Sequence, residues 1–260
     1  MDIVCDNDGE EIIVRAKLAR DDESRAVSIA ESVSHSLLSK LGFRMADPYI
    51  VQIGNEFAAD LSKQYGFTSQ IQPGRHWGTR LMGEEALNMF DMRDAVDLLY
   101  NPEQIFLLYL ADVVLANTDR KTQGNVLIAK RPHSDLFDIV PIDQSESFFH
   151  PSGLLLHDGL WELRDKRCGE FLDGTEGVVL KNGNKLVTEM FMMIEGLRDF
   201  VSDFVSASAE EWYDRTGVDP GTIERILAHR IEHVSVLADR SRWEGLCAAA
   251  EGGHVLDFKF

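Results

Sequence analysis

Apolar and polar positions alternate at the start of this 260-residue chain and recur with a helical period over most of the rest. In Glu10 to Ala19, Ile12, Val14 and Ala16 alternate with Ile13, Arg15 and Lys17, the period of two that marks a strand. The preceding "DIVC" and the turn-forming "DNDG" complete a predicted hairpin over residues 2 to 20. Lys17 therefore points to the face shared by Ile13 and Arg15. From Asp21 the period changes. Val27, Ala30, Val33, Leu37, Leu38 and Leu41 form one helical stripe between a cap region, Asp21 to Ser24, and a stop at Gly42. At about 100° per residue, Glu31 falls at the edge of that stripe, beside Leu38.

"DPYIVQIG" predicts a strand, residues 56 to 65 fit either a helix or a strand, and "HWGTRLM" (76 to 82) predicts a short strand after the "QPGR" turn. From Gly83 the pattern is mostly helical. "NPEQIFLLYLADVVLAN" has Asn101 as a cap and Pro102 in its first turn, and is apolar on nearly all sides, as a buried helix is. "NVLIAK" and "LFDIVPIDQ" predict two short strands joined by "RPHSD". Residues 183 to 206, 208 to 216 and 219 to 241 predict three helices, the last opening at Asp219-Pro220. The class expected is α+β, with a small strand-rich lobe (1–83), a larger helical lobe (84–260) and a cleft between them.

Composition narrows the chemistry. Apolar residues are 44%, enough for a sizeable core, and the net charge of −18 repels nucleic acid and anionic membranes on average. Cys5, Cys168 and Cys247 are widely spaced, with no CxxC or Cys/His cluster, which favours a reducing, cytoplasmic setting. "MDIVCDNDGEEII" has neither the basic nor the apolar region of a signal peptide, and no apolar run reaches a membrane span. His35, His76, His133, His150 and His157 are scattered. His229 and His233 share a helix face without the acid of a metalloprotease motif, and read as structural.

The candidate chemistry sits in "ANTDRKTQGNVLI" (116 to 128), where Asn117, Asp119, Arg120, Lys121 and Asn125 interrupt two apolar segments. If the strands on either side of "RPHSD" form a hairpin, its open end brings Asp143 near Asn125. An Asp and an Asn supply hard oxygen ligands that suit Mg²⁺ held with substrate phosphates. Asp119 is available to accept a proton or orient a nucleophile. A strand lysine, Lys17, can neutralise nucleotide phosphates, and a helix glutamate, Glu31, can hold it by an ion pair. Taken singly, each has a plainer reading: Lys17 as a surface lysine, Glu31 as a solvated helix residue, Asp119-Arg120 as a helix-ending salt bridge, and Asp143 as a turn cap. The ordered set points to phosphoryl transfer.

That order resembles the HipA-like kinases, a branch of the protein-kinase-like superfamily, and their short single-domain version in particular. Asp112 ends the buried helix in "LAD", Asn117-x-Asp119-Arg120 stands for the family's "NxDR", and "PIDQSESFF" stands where the family has "IDH". Trp212 and Leu227 to Arg230 resemble the closing region, so the likeness runs from about residue 10 to 240. It implies a two-lobed protein-kinase-like fold, ATP and Mg²⁺ as cofactors, and a Ser or Thr hydroxyl of a protein as acceptor. Lys17 would contact the ATP phosphates and Glu31 would pair with it. Asp119 would be catalytic, Asn125 and Asp143 would hold Mg²⁺, and Thr79 to Met82 would lead to the hinge that contacts adenine. An antitoxin-like partner protein follows from family analogy alone.

The sequence departs from the family pattern in four places. Asn125 follows Asp119 by six positions where the family has five, an excess that Gly124 can absorb as a bulge. Lys121 stands where the family often has His, and Gln144 replaces the His after the metal aspartate. Ahead of Lys17 the candidate phosphate-covering loop is "DNDG", which is short and acidic. These departures keep two alternatives in view: a pseudokinase or binding module without transfer, and a kinase of lipids or small molecules, against which the acidity of the chain argues mildly.

Overall fold

A computed structural model describes residues 1–66, 70–82, 86–88, 96–120, 125–148 and 176–252. Strands β1 (Asp2–Asn7) and β2 (Glu10–Lys17) form the expected hairpin. Asp8 and Gly9 turn it with positive φ, and Asp6 Oδ1 accepts the Gly9 N–H at 2.7 Å. "DNDG" is thus a hairpin turn stabilised by its own side chain. Strands β3 (Pro48–Ile53) and β4 (Gly74–Arg80) complete an antiparallel sheet of order β1-β2-β4-β3. The segment left open by the sequence is a helix, α2 (Asn55–Gln64). Ala58 and Leu61, three apart as on one helix face, join Ile12, Val14 and Ala16 in the small core of this sheet.

Helix α1 (Asp22–Lys40) opens with a capping box: Asp21 accepts the Ser24 N–H while Ser24 Oγ accepts the Asp21 N–H. A single apolar stripe was expected, yet Arg25, Ser28, Glu31, Ser32 and Ser34 are buried as well. The reason is its position between strand β4 and the C-terminal helices α5 (Val201–Ser206) and α6 (Glu210–Thr216). Its stripe joins the large core around Phe106, Phe191 and Trp212, separate from the small core of the first sheet. Polar bonds fasten the same junction. The fully buried Arg25 donates from Nη1 to the Arg75 carbonyl (2.9 Å) and from Nη2 to that of Pro73 (3.4 Å). Trp212 Nε1 donates to the same Arg75 carbonyl at 2.8 Å.

Helix α3 (Gln104–Leu115) is buried almost throughout. It starts later than expected, because Asn101 and Pro102 form the turn before it, with their carbonyls accepting from Gln104 and Ile105 N–H. It ends at Ala116 in the left-handed region (φ 53°), where the Asn117 N–H returns to the Asp112 carbonyl. A second sheet, β5 (Ala86–Asn88), β6 (Val126–Lys130) and β7 (Phe137–Pro141), follows in the order β5-β6-β7. The border between lobes placed at 83/84 falls outside the described residues, as do Cys168, His150 and His157.

The C-terminal helices are more broken than their periodicity suggests. Helix α4 (Glu176–Glu195), interrupted at Gly183, gives way to a 3-10 turn at Gly196–Phe200 and then to α5. The last expected helix is split at His233 into α7 (Pro220–Glu232) and α8 (Val234–Leu237). An unforeseen α9 (Arg240–Glu251) buries Trp243 and Cys247, four positions apart. Among the described residues no helix is long and apolar enough to cross a membrane.

Gly78 marks the closest approach within the first sheet, since a Cβ there would stand 2.4 Å from Val14 Cγ1 and 3.1 Å from Val51 Cγ2. Gly78→Ala should therefore lower stability by about 1–3 kcal/mol, read as a reduced midpoint in urea unfolding at unchanged slope.

Candidate active site

Three elements bring Lys17, Glu31 and Asp143 together. Lys17 is the last residue of β2, paired with Trp77 of β4. Its Nζ lies 2.6 Å from Asp143 Oδ1 and 3.2 Å from Glu31 Oε1. Glu31 comes from the middle of α1 and is buried. Asp143 follows β7 in the left-handed region (φ 53°), a conformation Asp tolerates better than most residues. Ser145 Oγ donates to the same Asp143 oxygen at 2.6 Å. Glu31, expected at the edge of its stripe, is enclosed because α1 lies between strand β4 and the C-terminal helices.

The charges respond as burial and neighbours require. Desolvation works to lower the Lys17 pKa, but the Glu31 and Asp143 charges outweigh it and hold it above its ordinary value. Desolvation likewise acts to raise Asp143, and the Lys17 charge with the Lys17 and Ser145 hydrogen bonds brings it below its ordinary value. For Glu31 burial wins: its carboxyl is pushed up despite Lys17 and a hydrogen bond from the Gln144 backbone N–H.

Asp119 and Asn125 meet beside this group. Asn117 Oδ1 accepts the Asp119 N–H at 3.1 Å, and Asn125 Nδ2 donates to the Asp119 carbonyl (2.8 Å) and to Asp119 Oδ2 (3.0 Å). The six-residue spacing therefore does not keep the two side chains apart; the extra position and Gly124 lie outside the described residues. A cavity of about 420 Å³ is lined by Lys17, Glu31, Asn125 and Asp143, and extends past Thr79 to Leu81 and Met82. Asp119 stands behind Asn125 and is not among its lining residues.

Two buried arginines hold this arrangement. Arg120 makes a two-point pair with Asp112, Nε to Oδ2 at 2.9 Å and Nη2 to Oδ1 at 2.8 Å. Its Nη1 donates to the Asn125 (2.9 Å) and Ile142 (3.1 Å) carbonyls, and Nη2 also to Gln144 Oε1 (2.6 Å). Gln144 Oε1 accepts Asn117 Nδ2 as well, at 3.1 Å. Arg230, fully buried on α7, donates from Nε and Nη2 to the Val113 carbonyl and from Nε to that of Val114, at the end of α3. Sequence reasoning gave neither arginine this role. The signal existed for Arg230, which stands on the apolar stripe of Ile223, Ile226, Leu227 and Ile231.

No family model matches the sequence, and no curated protein matches it. The structure is similar to the crystal structure of a Helicobacter pylori proinflammatory kinase, CtkA, with a TM-score of 0.50 and 10% sequence identity. The match covers 96% of this chain and 92% of that one. The chain has a kinase-like two-lobed fold. In a kinase-like cleft the described side chains place a cation, Lys17, and oxygen donors, Asn125 and Asp143, on one cavity. Among the described residues no group of three or more His, Cys, Asp or Glu side chains is placed to hold a metal ion by itself. The donor set of the cleft suits a hard cation that takes its remaining ligands from a phosphate substrate. Asn125 fits this role, because its amide nitrogen is engaged by Asp119 and its oxygen is the donor that remains.

Two predictions follow from the charges. Arg120→Met strands the buried Asp112 carboxylate and should cost about 3–5 kcal/mol in urea unfolding, part of which Asp112→Leu in the same chain restores. Asp143, depressed below 3.8, contributes stability that is present above that value and lost as pH falls through its folded pKa. Lys17, raised above 10.5, contributes stability present below that value and lost as pH rises through its folded pKa. Asp143→Asn should therefore flatten the acid limb of melting temperature against pH.

Proposed function

We propose that this chain is an ATP- and Mg²⁺-dependent phosphotransferase of the HipA-like kind, with a Ser or Thr hydroxyl of a protein as acceptor. One observation carries the reading: Lys17 of the sheet-rich lobe reaches Glu31 of α1 and, across the cleft, Asp143, next to the joined Asp119 and Asn125. In this reading Lys17 neutralises the ATP phosphates and Glu31 fixes its ammonium. Asn125 and Asp143 hold Mg²⁺, which when bound offsets the charge of the transferring phosphoryl group. The acceptor oxygen bonds to the γ-phosphorus as the bond to the ADP oxygen breaks, and Asp119 takes the hydroxyl proton. Asp143, which faces Lys17 at 2.6 Å, would be compensated by the cation when Mg²⁺ is bound, leaving Lys17 to Glu31 and the phosphates.

ATP with Mg²⁺ at about a hundred times its Kd should stabilise the protein by about 2.7 kcal/mol, visible as a raised melting temperature. Asp143→Ala should remove that shift. Asp119→Asn should keep the shift while slowing transfer to a protein hydroxyl by roughly 10²–10⁴-fold. Full-rate transfer by Asp119→Asn would sink the catalytic assignment. A melting shift in the wild type without transfer to any acceptor would favour the binding-module alternative.

A further inference from the structure

The two ends of the cavity differ in chemistry. One end holds Lys17, Glu31, Asn125 and Asp143; the other is formed by Leu81 and Met82, where the Leu81 N–H donates to the Ile13 carbonyl at 2.9 Å. Arg15 lies between them. Side chains on a strand share a face at every second residue, so Arg15 faces the cavity with Lys17, about 7 Å along β2. It is opposite Thr79 on β4 and opposite Asp2 on β1. Asp2 grips its guanidinium at two points, Nε to Oδ1 at 2.8 Å and Nη2 to Oδ2 at 3.0 Å. Such a pair is flat, and its charge is already compensated. Half of each side chain is exposed, so a face of the plane is open. Leu127 of β6 lines the same cavity from the other lobe.

We propose that the Asp2–Arg15 pair is the wall on which the nucleobase stacks, with Leu127 on the opposite side. This rests on the nucleotide reading and adds to it a specificity determinant. The physical basis is the weakly hydrated guanidinium plane, which stacks on aromatic rings, whereas a compact ammonium does not reproduce that surface. Arg15 is not a phosphate ligand in this arrangement: its charge is spent on Asp2, and Lys17 occupies the phosphate end.

The test compares adenosine, which carries no phosphate, with ADP and Mg²⁺, by calorimetry on the full chain and on Arg15→Lys and Arg15→Leu. The stacking wall predicts that each variant weakens adenosine and ADP by the same factor, roughly three- to thirtyfold. Arg15→Lys keeps the charge, so its loss of adenosine affinity reports the plane. Unchanged binding of adenosine by Arg15→Lys, with ADP alone weakened, would show a phosphate contact and overturn the proposal. Unchanged binding of both ligands overturns it too, while leaving the nucleotide reading intact. Failure of the wild-type chain to bind either ligand would overturn both readings together.

Discussion

The candidate site depends on one buried cation. Arg120 has five N–H donors, and all five find acceptors: two on Asp112, two backbone carbonyls and the Gln144 side chain. Burying a guanidinium is costly unless every donor is met and a counter-charge is close. Meeting those conditions fixes the end of α3, the start of β6 and the end of β7 in one geometry. Asn125 and Asp143 are at or beside residues whose atoms Arg120 holds, and Asp119 directly precedes Arg120 itself. Their positions are consequences of satisfying Arg120 as much as of their own bonds.

The front of the cleft is built differently. Lys17 reaches its two carboxylates through a flexible stem, and about a quarter of its side chain is exposed. A partly solvated pair of this kind can exchange partners, whereas the Asp112–Arg120 pair, with neither side chain exposed, cannot do so cheaply. The molecule thus separates a scaffold that resists change from a charge group that can respond to a ligand. Both meet at the open end of the β6–β7 hairpin, where the Asn125 carbonyl accepts the Ile142 N–H and an Arg120 N–H together and Asp143 faces Lys17.

Much of this was legible in the sequence where periodicity is strong. Alternation around Ile12, Val14 and Ala16 placed Lys17 on the face of Arg15, and both line the cavity together with Glu31, Asn125 and Asp143, whereas Asp119 does not. Residues 55 to 64 were ambiguous because so short a segment with two buried positions satisfies both periods about equally. The enclosure of α1 was not legible, because Arg25 and three serines among its buried residues are polar, and the carbonyl that accepts from Arg25 and the Trp77 N–H that donates to Ser28 lie 50 and 49 residues away. The hub at Arg120 escaped for a related reason. Two of its five acceptors are backbone carbonyls, which every residue carries and no sequence pattern distinguishes.

The Arg75 carbonyl, which accepts both Arg25 and Trp212, gives the cleft a direction. One buried donor comes from the first lobe and one from the second, so the two lobes share an acceptor on that side. Trp77 and His35, packed edge to face with ring centres 5.4 Å apart, give the cavity a wall built from both the sheet and α1.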